Sequence, residues 1–289
     1  MTTLPGDPSS DMGPKLQLSN LSVRVITSII LLPIVGAVTY IGGLPLTILI
    51  AVITGIGVLE FYVFAAGRQM QGSAIIGVPM AVVVVAAFHF QENALWIAAL
   101  VIGGAATFIL ETVRHPHDAR RSLWQMLATL AGVLYVALPA SFLIAIRGLP
   151  DGLVWLLVIF ASTWGTDSFA YLGGRFFGKT KLAPLLSPKK TVEGAIIGIV
   201  GGLIPPGIIL LISGKFSLTT LILIGLAPFA AILGDLFESA IKRKFEVKDS
   251  HITGLNIFPG HGGVLDRVDS LIWVATLFYG FLILLGVGR

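Results

Sequence analysis

Apolar residues come in long blocks along this chain, and the polar residues between them are few and short-ranged. Nine blocks lie near 23–42, 45–66, 73–90, 94–113, 123–146, 153–173, 194–213, 218–238 and 270–288. Each is close to the ~20 residues a helix needs to cross a bilayer. The pattern predicts an all-α polytopic integral membrane protein with about nine transmembrane helices. Turn residues separate neighbouring blocks at Gly42-Gly43-Leu44-Pro45 and Gly148-Leu149-Pro150-Asp151. Pro205-Pro206 and Pro228 fall inside blocks and predict kinks, which surrounding helices tolerate. Residues 1–22 form a polar tail rich in Pro, Gly, Ser and Asp, predicted to be disordered. The first block is too long for the h-region of a cleaved signal peptide, and no small-residue cleavage pattern follows it.

Composition removes the soluble alternative. Only 12% of the 289 residues are charged and 55% are hydrophobic, whereas soluble domains carry roughly 25% charged residues. The net charge of +4 does not indicate nucleic acid, because the bases gather at the ends of the apolar blocks, as membrane topology requires. Cysteine is absent, which excludes disulfides and thiolate metal sites. With the N-terminus inside, sixteen of the nineteen Lys and Arg residues fall on the cytoplasmic side and three outside. The positive-inside rule therefore predicts a cytoplasmic N-terminus and an external C-terminus. Both long polar loops, 174–193 and 239–269, are then cytoplasmic. The expected division is a tail (1–22), a scaffold of membrane helices (23–146) and a catalytic part (147–289). The absence of a transit-peptide pattern points to the cell (cytoplasmic) membrane.

Candidate chemistry is confined to a few places. If residues 234–242 are helical, Asp235, Glu238, Ser239 and Lys242 share a face at i, i+3, i+4 and i+7. Asp266 and Asp269 are three apart, directly after Gly262-Gly263, where a helix can start. Two carboxylate pairs flanking a basic segment suit metal-assisted phosphoryl transfer, carboxylates holding hard cations and Lys or Arg holding phosphates. Asp167 lies within the sixth block, about two turns from its cytoplasmic end, and an ionisable residue at that depth usually marks a site. Glu60 and Glu111 have no polar company and read as interfacial anchors. Gly173 to Thr180 fits the phosphate-loop spacing G-x-x-x-x-G-K-[ST], but that motif needs an α/β sheet, and no strand-rich segment is present. Ser187-Pro188 reads as a helix N-cap and first helical position. The following Lys189, Lys190, Thr191 and Glu193 then make a phosphate-binding helix entry.

Together these segments resemble the phosphatidate cytidylyltransferases, also called CDP-diacylglycerol synthases. The resemblance rests on Ser239, Lys242-Arg243, Lys248-Asp249, Pro259-Gly260-His261-Gly262-Gly263, Asp266-Arg267 and Asp269. Asp167-Ser168, Ser187 to Thr191, Glu193-Gly194 and Gly234-Asp235 support it, over roughly 160–275. Around His251 to Asn256 this chain carries a few more residues than the family pattern. The resemblance implies transfer of the cytidylyl group from CTP to phosphatidate, giving CDP-diacylglycerol and pyrophosphate, with Mg²⁺ and room for a second cation. It implies membrane lipids and a second copy of the chain as partners, and no nucleic acid. The roles expected from it make Asp235, Asp266, Asp269 and Glu238 metal ligands, with Lys242 and Arg243 at the reacting phosphates. Asp167, Ser187, Lys189, Lys190, Thr191, Glu193, Ser239, Lys248, His261 and Arg267 would bind substrate. Two other readings use the same residues: a CTP-dependent lipid kinase, which moves the γ-phosphate, and a cation-coupled transporter. The transporter would set its carboxylates near the bilayer midplane at broken helices, whereas these cluster beside Lys and Arg at one surface.

Overall fold

The computed structural model describes residues 20–66, 72–247 and 263–287. The polar tail before Asn20, the longer loop at 250–258, Lys248 and His261 lie outside the described residues. The chain runs through α1 (Asn20–Ile41), α2 (Gly43–Ala65), α3 (Ala74–Phe90), α4 (Asn93–Arg114) and α5 (Ala119–Gly132). A π-helical turn, Val133–Ala137, joins α5 to α6 (Leu138–Arg147). After α7 (Gly152–Phe177) come two short strands, β1 (Lys181–Ala183) and β2 (Ser187–Thr191). The remaining helices are α8 (Val192–Gly201), α9 (Ile204–Ile212), α10 (Leu218–Lys244) and α11 (Leu265–Leu284).

Among the described residues, seven helical segments are long and apolar enough to cross a membrane, counting α5–α6 and α8–α9 as one each. The portion Ile29–Ile41 of α1 and the whole of α3 are shorter apolar helices. This is a polytopic helical membrane protein. Large apolar side chains such as Ile48, Val101, Ile109, Leu211 and Ile222 point outward, where lipid rather than water would meet them. Inward-facing residues form two adjoining cores. One joins Leu156 and Ile159 of α7 to Leu223 and Ile224 of α10 and Ile272 and Phe278 of α11. The other joins Val58 and Tyr62 of α2 to Val84 of α3, Val136 and Leu265.

Lipid tails are as apolar as the helices, so burial alone does not hold helices together; small residues that allow close packing do. A Cβ on Gly198 would lie 2.7 Å from Ala170 Cβ, and one on Gly194 would lie 2.8 Å from Ala170 O. These glycines, four apart on α8, let it press against α7. A Cβ on Gly234 would meet Trp273 at 2.8 Å and Asp269 O at 2.9 Å, so glycine also sets the closeness of α10 to α11.

Several element boundaries differ from the sequence reading. The double proline opens α9 after a break at residues 202–203, because a ring at the first helical turn needs no amide partner. Pro228 sits within α10, which continues through it. Helix α7 extends to Phe177, so Asp167 lies ten residues, nearly three turns, from its end. Ser187-Pro188 is not a helix start: both belong to β2, which pairs antiparallel with β1. Thr191 caps α8 instead, its hydroxyl accepting from Gly194 N at 3.2 Å. Proline is tolerated in β2 because that strand has a single neighbour. The phosphate-loop spacing falls on the end of α7 and the turn after it, without an α/β sheet among the described residues.

Glu60 and Glu111 are not interfacial anchors. Glu111 is buried and pairs with Arg114 at 2.9 Å. Glu60 is 3% exposed and faces another helix end.

Candidate active site

The first functional groups come from the cytoplasmic-predicted end of α10. Its helical period places Asp235, Glu238, Ser239 and Lys242 on one face, as the spacing predicted. Lys242 Nζ lies 2.9 Å from Glu238 Oε2, one turn before it, and Ser239 Oγ donates to Asp235 Oδ1 at 3.5 Å. Helix α11 starts five residues earlier than its apolar block, which brings Asp266 and Asp269 into its first two turns. Lys242 Nζ also reaches Asp266 Oδ1 at 2.8 Å. One ammonium group thus bridges Glu238 and Asp266 and ties α10 to α11. Gly263 N donates to Asp266 Oδ2 at 3.2 Å, and Ser270 N to Asp269 Oδ1 at 2.7 Å.

The third wall is α7 with its hairpin. Lys190 of β2 forms an ion pair with Asp235. Asp167, accessible on α7, is in electrostatic range of Asp235, Asp269, Lys190 and Arg267. Arg267 is exposed at the start of α11, and Lys189 is exposed on β2. Asp167, Lys190, Asp235, Glu238, Ser239, Lys242, Asp266, Arg267 and Asp269 therefore gather where α7, α10, α11 and β2 meet. This polar junction, the cleft between the helices, holds five carboxylates and several bases, and it can take a polyanion only if cations offset the carboxylates.

Other predicted residues serve the frame. Glu193 accepts from Lys179 N at 3.1 Å and from Thr180 N at 3.1 and 3.2 Å, bracing the turn between α7 and β1. The Thr191 hydroxyl is engaged as the α8 cap. Arg243 Nε donates to Leu186 O at 3.3 Å, fastening α10 to the hairpin. Ser187 is half-buried on β2.

Two groups from the first half reach the site in roles the sequence did not suggest. Glu60 of α2 accepts from Val264 N at 2.9 Å and Leu265 N at 2.8 Å, at the entry to α11. Tyr135, in the π-helical turn, is in electrostatic range of Asp235, Glu238 and Asp269, and its hydroxyl is buried. The only sequence sign of Glu60 is an acid inside an apolar block; Tyr135 gives none.

The donors suit a hard divalent cation. All are carboxylate oxygens, and Glu238, 1% exposed, keeps Oε1 buried without a hydrogen-bond partner among the described residues. Among those residues no three acidic or imidazole groups form a ready cage. Mg²⁺ does not need one, since it takes one or two carboxylates and completes its shell with water and substrate phosphates.

Known proteins are similar to this chain in sequence. The chain matches the cytidylyltransferase family over residues 22–285. It belongs to that family. A phosphatidate cytidylyltransferase of Brucella abortus (strain 2308) is 34% identical over 270 residues, covering 91% of this chain and 94% of that protein. The phosphatidate cytidylyltransferase of Staphylococcus haemolyticus (strain JCSC1435) is 34% identical over 265 residues, covering 89% and 97%. That of Staphylococcus aureus (strain COL) is 33% identical over 262 residues, with the same coverage. The matched span takes in the first helices as well as the cleft, so this cytidylyltransferase resembles its relatives over almost its whole length.

Proposed function

We propose that this cytidylyltransferase couples CTP to phosphatidate at the cytoplasmic face of the cell membrane, releasing pyrophosphate and leaving CDP-diacylglycerol. The observation that carries this is the convergence of acids and bases on α7, α10 and α11 at one end of an apolar bundle. There a lipid phosphate at the surface and a nucleotide from water can meet. An oxygen of the lipid phosphate attacks the α-phosphorus of CTP in line. The bond from that phosphorus to the β-phosphate bridging oxygen breaks, and pyrophosphate carries away the electron pair. Such a transfer depends mainly on positioning and charge neutralisation.

Lys190, Lys189 and Arg267 hold phosphate oxygens, and Asp167 orients the bases around it. Lys242 acts between Glu238 and Asp266, fixing both carboxylates, rather than reaching for phosphate. Asp235 and Asp266, with Glu238 and Asp269 beside them, would hold Mg²⁺. When bound, the ion offsets the negative charge of the triphosphate. With nine spans and the N-terminus inside, as the charge bias of the sequence predicts, the cleft would face cytoplasmic CTP.

The test uses purified protein, phosphatidate and CTP labelled either in cytidine or at the γ-phosphate. Cytidine label should enter lipid and γ-label should not; the reverse would make the protein a lipid kinase. Asp235→Asn and Asp266→Asn should each abolish cytidine incorporation while the protein stays folded in detergent. Near-normal turnover in either would remove its metal assignment.

A further inference from the structure

The entry to α11 presents a problem that Glu60 solves. The first amides of a helix have no partner within the helix. At α11 those of Val264 and Leu265 are buried, both residues being 2% exposed or less. No side chain of the residue before the helix caps it. The partner comes from α2, 204 residues away in sequence: Glu60 Oε1 takes Val264 N at 2.9 Å and Glu60 Oε2 takes Leu265 N at 2.8 Å. Both carboxylate oxygens thus seat one helix end in a fixed orientation. A buried negative charge at a helix N-terminus also meets the favourable end of the helix dipole.

The residues just beyond this contact give it its meaning. Asp266 comes immediately after Leu265 and Asp269 lies one turn on, so their carboxylates inherit their position from the backbone that Glu60 holds. Tyr62, on the same helix as Glu60, donates to Thr129 O at 2.7 Å and anchors α2 to α5. The frame of the first half therefore extends to the acids of the second. We infer that Glu60 is a positioning residue for this reaction: by clamping the amides of Val264 and Leu265 it sets the register of Asp266 and Asp269 against Lys242 and Glu238. This rests on the proposed role of Asp266.

The test compares Glu60→Gln with Glu111→Gln, the latter a buried acid of the same half away from the cleft. A glutamine side chain in place of Glu60 can accept from one N–H but turns a donor towards the other. The expected result for Glu60→Gln is a kcat about 100-fold lower, the scale of loss from a small misplacement of reacting groups. KM for CTP should change less than about threefold, the Mg²⁺ concentration for half-maximal rate should rise, and the protein should stay folded with a melting temperature a few degrees below the parent's, because one buried amide loses its acceptor. Glu111→Gln should keep kcat within about twofold. Hydrogen exchange provides a measurement independent of activity: the amides of Val264 and Leu265 should be protected in the parent and exchange faster in Glu60→Gln. A parent in which those two amides exchange like exposed ones would overturn the inference even if no variant could be purified. So would a Glu60→Gln enzyme with parental kcat and Mg²⁺ requirement. Asp266→Asn run alongside separates the two ideas: if it is inactive while Glu60→Gln is normal, only the clamp is wrong. If Asp266→Asn is active, the catalytic reading itself falls.

Discussion

Lys190 and Lys242 divide between them the two carboxylates that matter most, one ammonium on Asp235 and the other on Asp266. Their surroundings differ. Lys242 is 13% exposed and held by two carboxylates, so removing it leaves buried charge uncompensated. Lys190 is partly open to solvent, and such a pair adds ~0–1 kcal/mol to stability. Lys190→Met should therefore leave the melting temperature almost unchanged. It should lower kcat/KM for CTP by about 100-fold, as losing one charged contact to a reacting group does. A loss under about threefold, measured with purified enzyme, would make Lys190 a lipid-headgroup anchor. The acids and bases of the cleft are legible in the sequence because charge is scarce in this chain, so every ionisable residue inside or beside an apolar block stands out. Glu60 stands out equally, yet its role does not. Its partners are backbone amides far along the chain, and a distant helix end leaves no trace in local spacing. Ser187-Pro188 misleads for the opposite reason. Its local pattern matches a helix cap, but pairing with β1 extends the segment and moves the cap to Thr191.

Among the elements, α8 and α10 show how glycine shapes the site. Gly194 and Gly198 bring α8 against α7, and α8 leads directly from the β2 strand that carries Lys190. A leucine at Gly198 would force its Cβ to within 2.7 Å of Ala170 Cβ. Overpacking of this kind costs about 1–3 kcal/mol. Gly198→Leu should lower the melting temperature of the purified protein, and an unchanged midpoint would show that α7 and α8 are less closely packed. Helix existence is legible from the apolar blocks, which the hydrophobic thickness of the bilayer dictates. Helix ends are less so. Helices α7, α10 and α11 each run past their apolar block into polar sequence at the cleft, because there the polar side chains have one another as partners. The π-helical turn at Val133–Ala137 has no sequence signal at all; it lies where the span from α5 to α6 packs against α2 and α3.

The whole molecule has two chemically distinct ends. At one lie the cleft and its hairpin. At the other, Arg147 donates to Thr39 O at 3.0 Å and Tyr40 O at 2.8 Å, closing the end of α1, and Lys215 pairs with Asp151. This separation follows the charge bias of the sequence, and on that reading the cleft faces the cytoplasm. The lack of native cysteine makes the orientation easy to measure. Leu185→Cys, at the exposed tip of the hairpin, should react with a membrane-impermeant maleimide only after cells are opened, whereas Ser217→Cys should react in intact cells. The opposite labelling would invert the topology.

Beneath the reaction proposed for this cytidylyltransferase lies one claim, that the acids at the ends of α10 and α11 act together on a single cation and nucleotide. Anomalous scattering from Mn²⁺ in crystals grown with CTP addresses it directly. The expected result is a manganese peak touching the carboxylates of Asp235 and Asp266, with triphosphate oxygens on its open side. A nucleotide-bound manganese remote from both aspartates would contradict it.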